Sequence, residues 1–392
     1  MKILKSDKFL FFITSFLIAI GIIFSLSLGV FGVLLYDYDN THFFIRQLSI
    51  GVISIFLMWA LSRLNPEKIL TFVCIYIFFL AMFLLMLAMP FMPSSLVREI
   101  NGAARWIKLP GFSFAPIEFF KIGFIYFLAW SFNRKIDGVK KPFWDEFWIL
   151  FPYIIVFFFI IMLVAIYQND LGQIVVLGLV LFLMIVLAGI SKKMFFSSFG
   201  CFIIIIICII KFSGHRMNRI YSWLAGIKDV LAPILPDKIA NSIFSDDAQA
   251  PYQISHSLNA INNGGFFGEG IGLGTFKLGF LSEVHTDFVL AGISEETGFF
   301  GILIIVILFY VLLFRIFQIA SNASNKVYYL FSSGIGFMFL FSFMINSYGV
   351  TSLTPVKGIA VPFLSYGGSQ LLGSSVAIGC ILMISKKSKI KG

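Results

Sequence analysis

Apolar residues run along the chain in long blocks separated by short polar gaps. A transmembrane helix needs about 20 predominantly apolar residues to cross a hydrocarbon core of roughly 30 Å. That ruler predicts ten spans, at 9–35, 44–62, 69–91, 117–132, 148–166, 172–190, 194–210, 286–313, 327–348 and 364–385. The seventh is the shortest, but Lys192 and Lys193 before it and Lys211 after it can snorkel to the two interfaces. The first follows Lys2, Lys5 and Lys8 in the manner of a signal peptide, yet it is too long for an h-region and lacks a small-residue cleavage site, so it reads as a retained span. The expected fold is an all-α polytopic membrane protein, a single membrane domain over 1–392 with one large extracytoplasmic loop, 211–285, between the seventh and eighth spans.

Composition agrees. Of 392 residues 59% are apolar and only 12% charged, against about 25% charged in soluble domains, which excludes a soluble globule. The net charge of +10 raises nucleic acid as a partner, but Lys and Arg sit in gaps between apolar runs rather than on one solvated stripe, so none is expected. Instead they set orientation. With ten spans both termini share a side, and that side carries 17 of the 29 basic residues, so both termini read as cytoplasmic. Cys74, Cys201, Cys208 and Cys380 all fall inside apolar runs, leaving no disulfide framework and no zinc spacing. A transporter would show internal repeats and broken helices around a midplane site, and no convincing repeat is present.

Ionisable groups in or beside spans are expensive unless paired or solvated, so each is a candidate for function. In Pro116-Ile117-Glu118-Phe119-Phe120-Lys121, Glu118 and Lys121 share a helix face, either as an ion pair or as a charged cavity wall. Asp170, in Gln168-Asn169-Asp170-Leu171-Gly172, is either the N-cap of the next span or a site residue. Arg105 beside Trp106 suits a phosphate or the bilayer interface equally. In Ser282-Glu283-Val284-His285-Thr286-Asp287-Phe288, Asp287 is either a helix cap, a role open to Thr286 too, or a partly desolvated carboxylate able to accept a proton. Glu295 and Glu296, further along the same span, imply a polar cavity. The segment Gly264–Gly274 imitates dinucleotide-binding spacing, but no strand precedes it, so it reads as a flexible outer loop. Arg216, Arg219 and Lys277 around it are either solvated charges or contacts for an anionic lipid headgroup.

Five motifs, in this order on a chain of ten spans, resemble the shape, elongation, division and sporulation (SEDS) family of FtsW/RodA-like membrane proteins. They are Asn101-Gly102-Ala103-Ala104-Arg105-Trp106-Ile107, the Pro116 to Lys121 segment, the Gln168 to Gly172 segment, His285-Thr286-Asp287-Phe288 with Glu295-Glu296, and Pro355-Val356-Lys357-Gly358 followed by Pro362-Phe363-Leu364-Ser365-Tyr366-Gly367-Gly368-Ser369. The resemblance covers nearly the whole chain. Two motifs depart from the family: Ala115-Pro116-Ile117-Glu118 replaces Gln-Pro-Ser-Glu, and Gln168-Asn169-Asp170 replaces Gln-Pro-Asp, with both carboxylates kept.

The resemblance implies a peptidoglycan glycosyltransferase of a bacterial cytoplasmic membrane that polymerises lipid II. Its catalytic Asp falls at Asp287 here. The implied partners are a class B penicillin-binding protein, whose transpeptidase crosslinks the new glycan, and other membrane proteins of the division or elongation machinery. Lys357 and the Asn101-Gly102-Ala103 opening are more similar to the division branch than to the elongation branch. Asp287 is expected to act as general base on the acceptor hydroxyl, with Arg105, Arg216, Arg219, Lys277 and Lys357 as cations for the leaving pyrophosphate and Glu118, Lys121, Asp170 and Ser365 as further substrate contacts. No metal cage is visible, and a divalent cation, magnesium or manganese, stays an open alternative. A lipid II flippase or a non-catalytic scaffold for the transpeptidase are the rival readings. The charge asymmetry generates a first prediction: a cysteine placed at Ser245 is labelled by an impermeant reagent from outside intact cells. Labelling only after the cells are opened reverses the topology.

Overall fold

In the computed structural model, residues 6–30, 33, 38–39, 41–97, 103–109, 112–136, 139, 141–226, 228, 252–281 and 283–388 are described. Asn101, Gly102, the middle of the long loop with Ser245, and the last lysines lie outside the described residues. Twelve helices make up most of what is described. They are α1 (Lys8–Leu28), α2 (His42–Arg63), α3 (Pro66–Phe91), α4 (Pro116–Lys135), α5 (Phe143–Tyr167), α6 (Leu171–Ala188), α7 (Lys192–Lys211), α8 (Gly214–Gly226), α9 (Tyr252–Gly264), α10 (Val289–Ser321), α11 (Lys326–Val350) and α12 (Gly368–Ser385). Two three-residue strands unforeseen in the sequence, β1 (Ile107–Leu109) and β2 (Phe112–Phe114), pair antiparallel just before α4.

Local chemistry sets the helix starts. Asp7, Asp170, Ser191 and Asn325 each accept a backbone N–H of the first turn, at Leu10, Gln173, Met194 and Tyr328, and so satisfy a donor that the helix itself leaves orphaned. Pro66 and Pro116 occupy the first turns of α3 and α4, where a missing N–H is harmless. Among the described residues nine helices are long and apolar enough to cross a membrane. The helix expected at 117–132 is present as α4, of spanning length, with Glu118 and Lys121 at one end and Arg134 and Lys135 at the other. Three limits differ from expectation. Helix α1 ends at Leu28, Val30 and Val33 are again helical and the rest of the expected first span lies outside the described residues, α10 starts at Val289 and runs on to Ser321, and the last helix starts only at Gly368 because the preceding segment turns through Phe363 at φ 69°.

Helices α4, α6, α11 and α12 pack together at the centre, with α2 along α12, α3 along α4, and α10 between α1 and α11. Helix α10 is broken. Gly298, at φ 67° and ψ −166°, interrupts it in a region open only to glycine, and the carbonyls of Glu295 and Glu296 accept the N–H groups of Glu269 and Gly270 instead (both 3.0 Å). In return Phe299 donates to the Gly265 carbonyl (2.9 Å) and Phe300 to that of Phe266 (3.3 Å). The glycine-rich segment is therefore not a free loop, as its composition suggested, but is laced into the break. A Cβ on Gly298 would lie 2.4 Å from the backbone nitrogen of Gly268, whereas one on Gly265 meets nothing. Gly298→Ala is accordingly expected to cost ~3 kcal/mol through backbone strain and overlap, and Gly265→Ala ~1 kcal/mol, read as thermal unfolding in detergent. Equal losses at the two positions would show that the break is dispensable.

Candidate active site

A cavity of about 750 Å³ opens between α2, α4, α6, α11 and α12, and Asp287, Asp170, Glu118, Lys121 and Arg105 all contribute to its wall. Motifs more than 180 positions apart in the chain thus converge on one space. Arg216, Arg219, Lys277, Lys357 and Ser365 are not part of that wall.

The segment bearing Asp287 is held through its backbone. Asn346 on α11 donates from Nδ2 to the Asp287 carbonyl and to that of Ile359 (both 2.7 Å). Ser365 Oγ donates to the Thr286 carbonyl (2.7 Å) and accepts the Val361 N–H (2.8 Å), while the Tyr366 N–H donates to the His285 carbonyl (2.8 Å). The ring of His285 lies against Phe43 and Tyr366, where burial pushes its pKa down. Neither Thr286 nor Asp287 caps α10: Phe288 occupies the cap position, and Thr286 Oγ1 bonds to Glu283 (2.8 Å). That removes the bland explanation of Asp287. Gly358 comes so close that a Cβ there would sit 3.0 Å from Asp287 Oδ2, at a φ of 62° that side chains resist. Burial, with the nearby charges of Glu283 and Asp170, raises the Asp287 carboxyl to about 7, more than Arg105 and Arg219 lower it.

On the opposite wall Lys121 Nζ reaches Glu118 Oε2 at 2.8 Å and Gln173 Oε1 at 2.9 Å, and Gln173 Nε2 donates to Glu118 Oε1 at 3.2 Å. The ion pair and the cavity wall, alternatives in the sequence, are one arrangement. Asp170 is likewise both things: it caps α6 through the Gln173 N–H (3.3 Å) and lies 3.5 Å from Arg105 Nε. Burial raises its pKa against the pull of Arg105. Arg105 also donates to the carbonyls of Gln168 (3.2 Å) and Asn169 (2.6 Å).

Three expected substrate contacts have other work. Lys277 is buried, 2.6 Å from Glu296 and 2.8 Å from Ser27 Oγ. Ser365 is fully buried and positions Thr286. Arg216 donates to the carbonyls of Ala165 and Ile209 and to Asn169 Oδ1 (3.0 Å), so it braces the turn before α6. Asn169 there has φ 51°, a conformation barred to the proline usual in the family. Glu295 and Glu296 do not open onto the cavity: Glu295 Oε1 accepts from Asn263, Thr275 and Phe276, and Glu296 from Ser27 and Lys277. Lys357 and Arg219 keep their charge unspent, forming no hydrogen bond or ion pair among the described residues, with Lys357 half-buried and pushed down by burial, Arg219 and Arg216. No group of three His, Cys, Asp or Glu suited to a metal occurs among the described residues. Gln173 and Asn346, which order the site, were not foreseen; polar amides inside otherwise apolar spans were the available signal.

The fold and site define a polytopic helical membrane protein with a cavity walled by buried charged and amide side chains. Residues 7–390 match the model of the FtsW/RodA/SpoVE family, described as cell cycle proteins, and the chain belongs to that family. It is 46% identical over 389 residues to a probable peptidoglycan glycosyltransferase FtsW of Helicobacter pylori, covering 98% of this chain and all of that one. To the protein of the same description in Wigglesworthia glossinidia brevipalpis it is 32% identical over 388 residues, covering 97% and 94%. Its fold is similar to a chain of a peptidoglycan synthase complex that coordinates polymerization and crosslinking (TM-score 0.71, 21% identity, 97% of each chain) and to the rod shape determining protein RodA of Thermus thermophilus (TM-score 0.65, 22% identity, 98% of each chain).

The Glu118–Lys121–Gln173 triangle yields a prediction. Removing one charge strands its partner in the cavity wall, so Glu118→Ala and Lys121→Ala together are expected to be less damaging than the sum of the singles, with a coupling of about 1–3 kcal/mol in unfolding stability. Additive losses would mean that the pair does not act as a unit.

Proposed function

We propose that the chain is a peptidoglycan glycosyltransferase that polymerises lipid II at the outer face of a bacterial cytoplasmic membrane, in the division branch of its family. The observation that carries this reading is Asp287, a carboxyl on the wall of the cavity whose main chain is held by Asn346 and whose pKa of about 7 suits a proton acceptor at neutral pH. In this reading α4 also crosses the membrane, as the fourth of ten spans, both termini are cytoplasmic and the cavity faces outward.

Asp287 takes the proton of the acceptor's sugar hydroxyl as that oxygen attacks the donor's anomeric carbon. The bond from that carbon to the lipid pyrophosphate breaks, and the anomeric configuration inverts. The departing pyrophosphate needs cations that are not already neutralised. Arg219 and Lys357 meet that condition, whereas Lys121 is matched by Glu118 and Arg105 in part by Asp170. A class B penicillin-binding protein, whose transpeptidase crosslinks the new glycan, is the proposed partner, in keeping with the likeness to a chain of a peptidoglycan synthase complex.

The test uses purified protein with its transpeptidase partner and lipid II in liposomes. Asp287→Asn keeps size and cannot accept a proton, so polymerisation is expected to fall by about 10²–10⁴-fold. Because burial raises the folded pKa, Asp287 is protonated and idle below about 7, and wild-type kcat/KM should climb with pH through that value. Wild-type rates from folded Asp287→Asn would remove Asp287 from the mechanism. A wild type that makes no glycan beside an active partner would remove the polymerase reading.

A further inference from the structure

The glycine-rich segment after α9 carries bulky apolar side chains that stay largely exposed: Phe266, Phe267, Ile271 and Leu273, with Phe267 83% exposed. In a water-filled loop such a cluster would be costly and prone to association. Its depth relative to the membrane decides what it meets.

Two polar ties join α1 to α10. At one end Arg315 holds the Asp7 carboxylate through Nε (2.8 Å) and Nη2 (2.6 Å). At the other, Lys277 sits between Ser27 (2.8 Å) and Glu296 (2.6 Å). The ties are 20 residues apart on α1 and 19 apart on α10, about 30 Å and 28 Å at the helical rise, which is the thickness of the hydrocarbon core. No charged residue lies on α1 from Phe9 to Leu26 or on α10 from Thr297 to Phe314. The ties therefore mark the two hydrocarbon boundaries.

The hydrogen bonds to the break in α10 then give the segment's depth. Gly265 and Phe266 are bonded at Phe299 and Phe300, three and four residues inside the Glu296 tie, or about 5–6 Å. By Glu269 and Gly270 the chain is back at Glu295 and Glu296, which returns the exposed Glu269 carboxylate to the boundary. The lowest point is Phe266-Phe267, whose rings lie against Phe299 (6.2 Å) and Phe300 (5.4 Å). Those two residues are exposed as well and continue into the exposed Ile304 and Ile307 of the same span. Irregular backbone survives at such depth only when its polar groups are paired within the protein, and the bonds to α10 meet that condition.

We infer that Gly264–Gly274 is a re-entrant loop, with Phe266 and Phe267 inserted among acyl chains and Ile271 and Leu273 at the border of the same leaflet. The partner of this surface is the bilayer itself. Helix–helix contacts in membranes favour small residues that let backbones approach, whereas this face presents Phe, Ile and Leu and continues the lipid-facing side of α10. That the leaflet is the outer one rests on the topology proposed above.

Spin labels at single cysteines test this in liposomes containing the purified full chain alone, in a background of Cys201→Ser and Cys208→Ser. At Phe267→Cys, collisions with oxygen are expected to exceed those with a water-soluble nickel chelate, as at the lipid-facing Ile304→Cys and unlike the exposed Asn259→Cys on α9. Glu269→Cys should read shallower than Phe267→Cys, and Leu273→Cys gives an independent reading should the Phe267 variant not fold. Chelate access at 267 equal to that at 259 would place the loop in water and overturn the inference. Low access of both reagents would mean that protein covers the face, and overturns it too. Depth is read without activity or sidedness, so a failed topology at Ser245 leaves this result separate.

Discussion

A backbone group or a charge with no partner in hydrocarbon costs several kcal/mol, and this chain meets that cost with contacts between segments remote in sequence. Breaking α10 at Gly298 frees carbonyls at Glu295 and Glu296, and the glycine-rich segment satisfies them. The same segment brings Lys277 to Glu296 and Ser27, which fixes α1 against α10. One break in one helix thus determines where the chain re-enters, where two spans are clamped, and from what height the stretch to Asp287 begins.

The cavity follows an electrostatic logic of unequal pairing. Glu118 and Lys121 neutralise each other with Gln173 between them, so that wall is polar without net charge. Asp170 and Arg105 are more loosely matched, and Arg105 spends part of its fork on the carbonyls of Gln168 and Asn169. Asp287 receives no such partner. Its carbonyl is held by Asn346 and the carbonyl before it by Ser365, which fixes the residue while leaving the carboxyl without a donor. A carboxylate held by its backbone alone keeps a raised pKa, whereas a paired one would be driven down.

What the sequence disclosed was local. Spans follow from composition, the cap at Asp170 from one residue type beside an apolar run, and the Glu118–Lys121 pair from spacing three on a helix. The resemblance supplied the convergence on Asp287, which no periodicity could give. Contacts between distant segments were hidden: Lys277 meets a serine 250 positions away, and nothing near Lys277 in the chain distinguishes a buried ion-pair lysine from a solvated one. The glycine-rich segment misled for the same reason, since glycines that allow disorder also allow the close, positive-φ approach to α10 at Gly268 and Gly270.

Depth also bears on the chemistry. From Glu296, at the hydrocarbon boundary inferred above, the helical stretch back to Val289 rises about 10 Å, and Asp287 lies just beyond its end. The headgroup layer on each side of the core is only about 5–8 Å thick. On that inferred boundary and the proposed topology, Asp287 stands above the level of a lipid's own phosphates, at the height of whatever a lipid-linked pyrophosphate carries. A group at the phosphate level would serve best as a cation, and a group one sugar higher serves best as a base toward a hydroxyl. In the proposed mechanism the carboxyl of Asp287 has the raised pKa and the lack of a partner that the second task requires, whereas the carboxylate of Glu296 is already paired with Lys277.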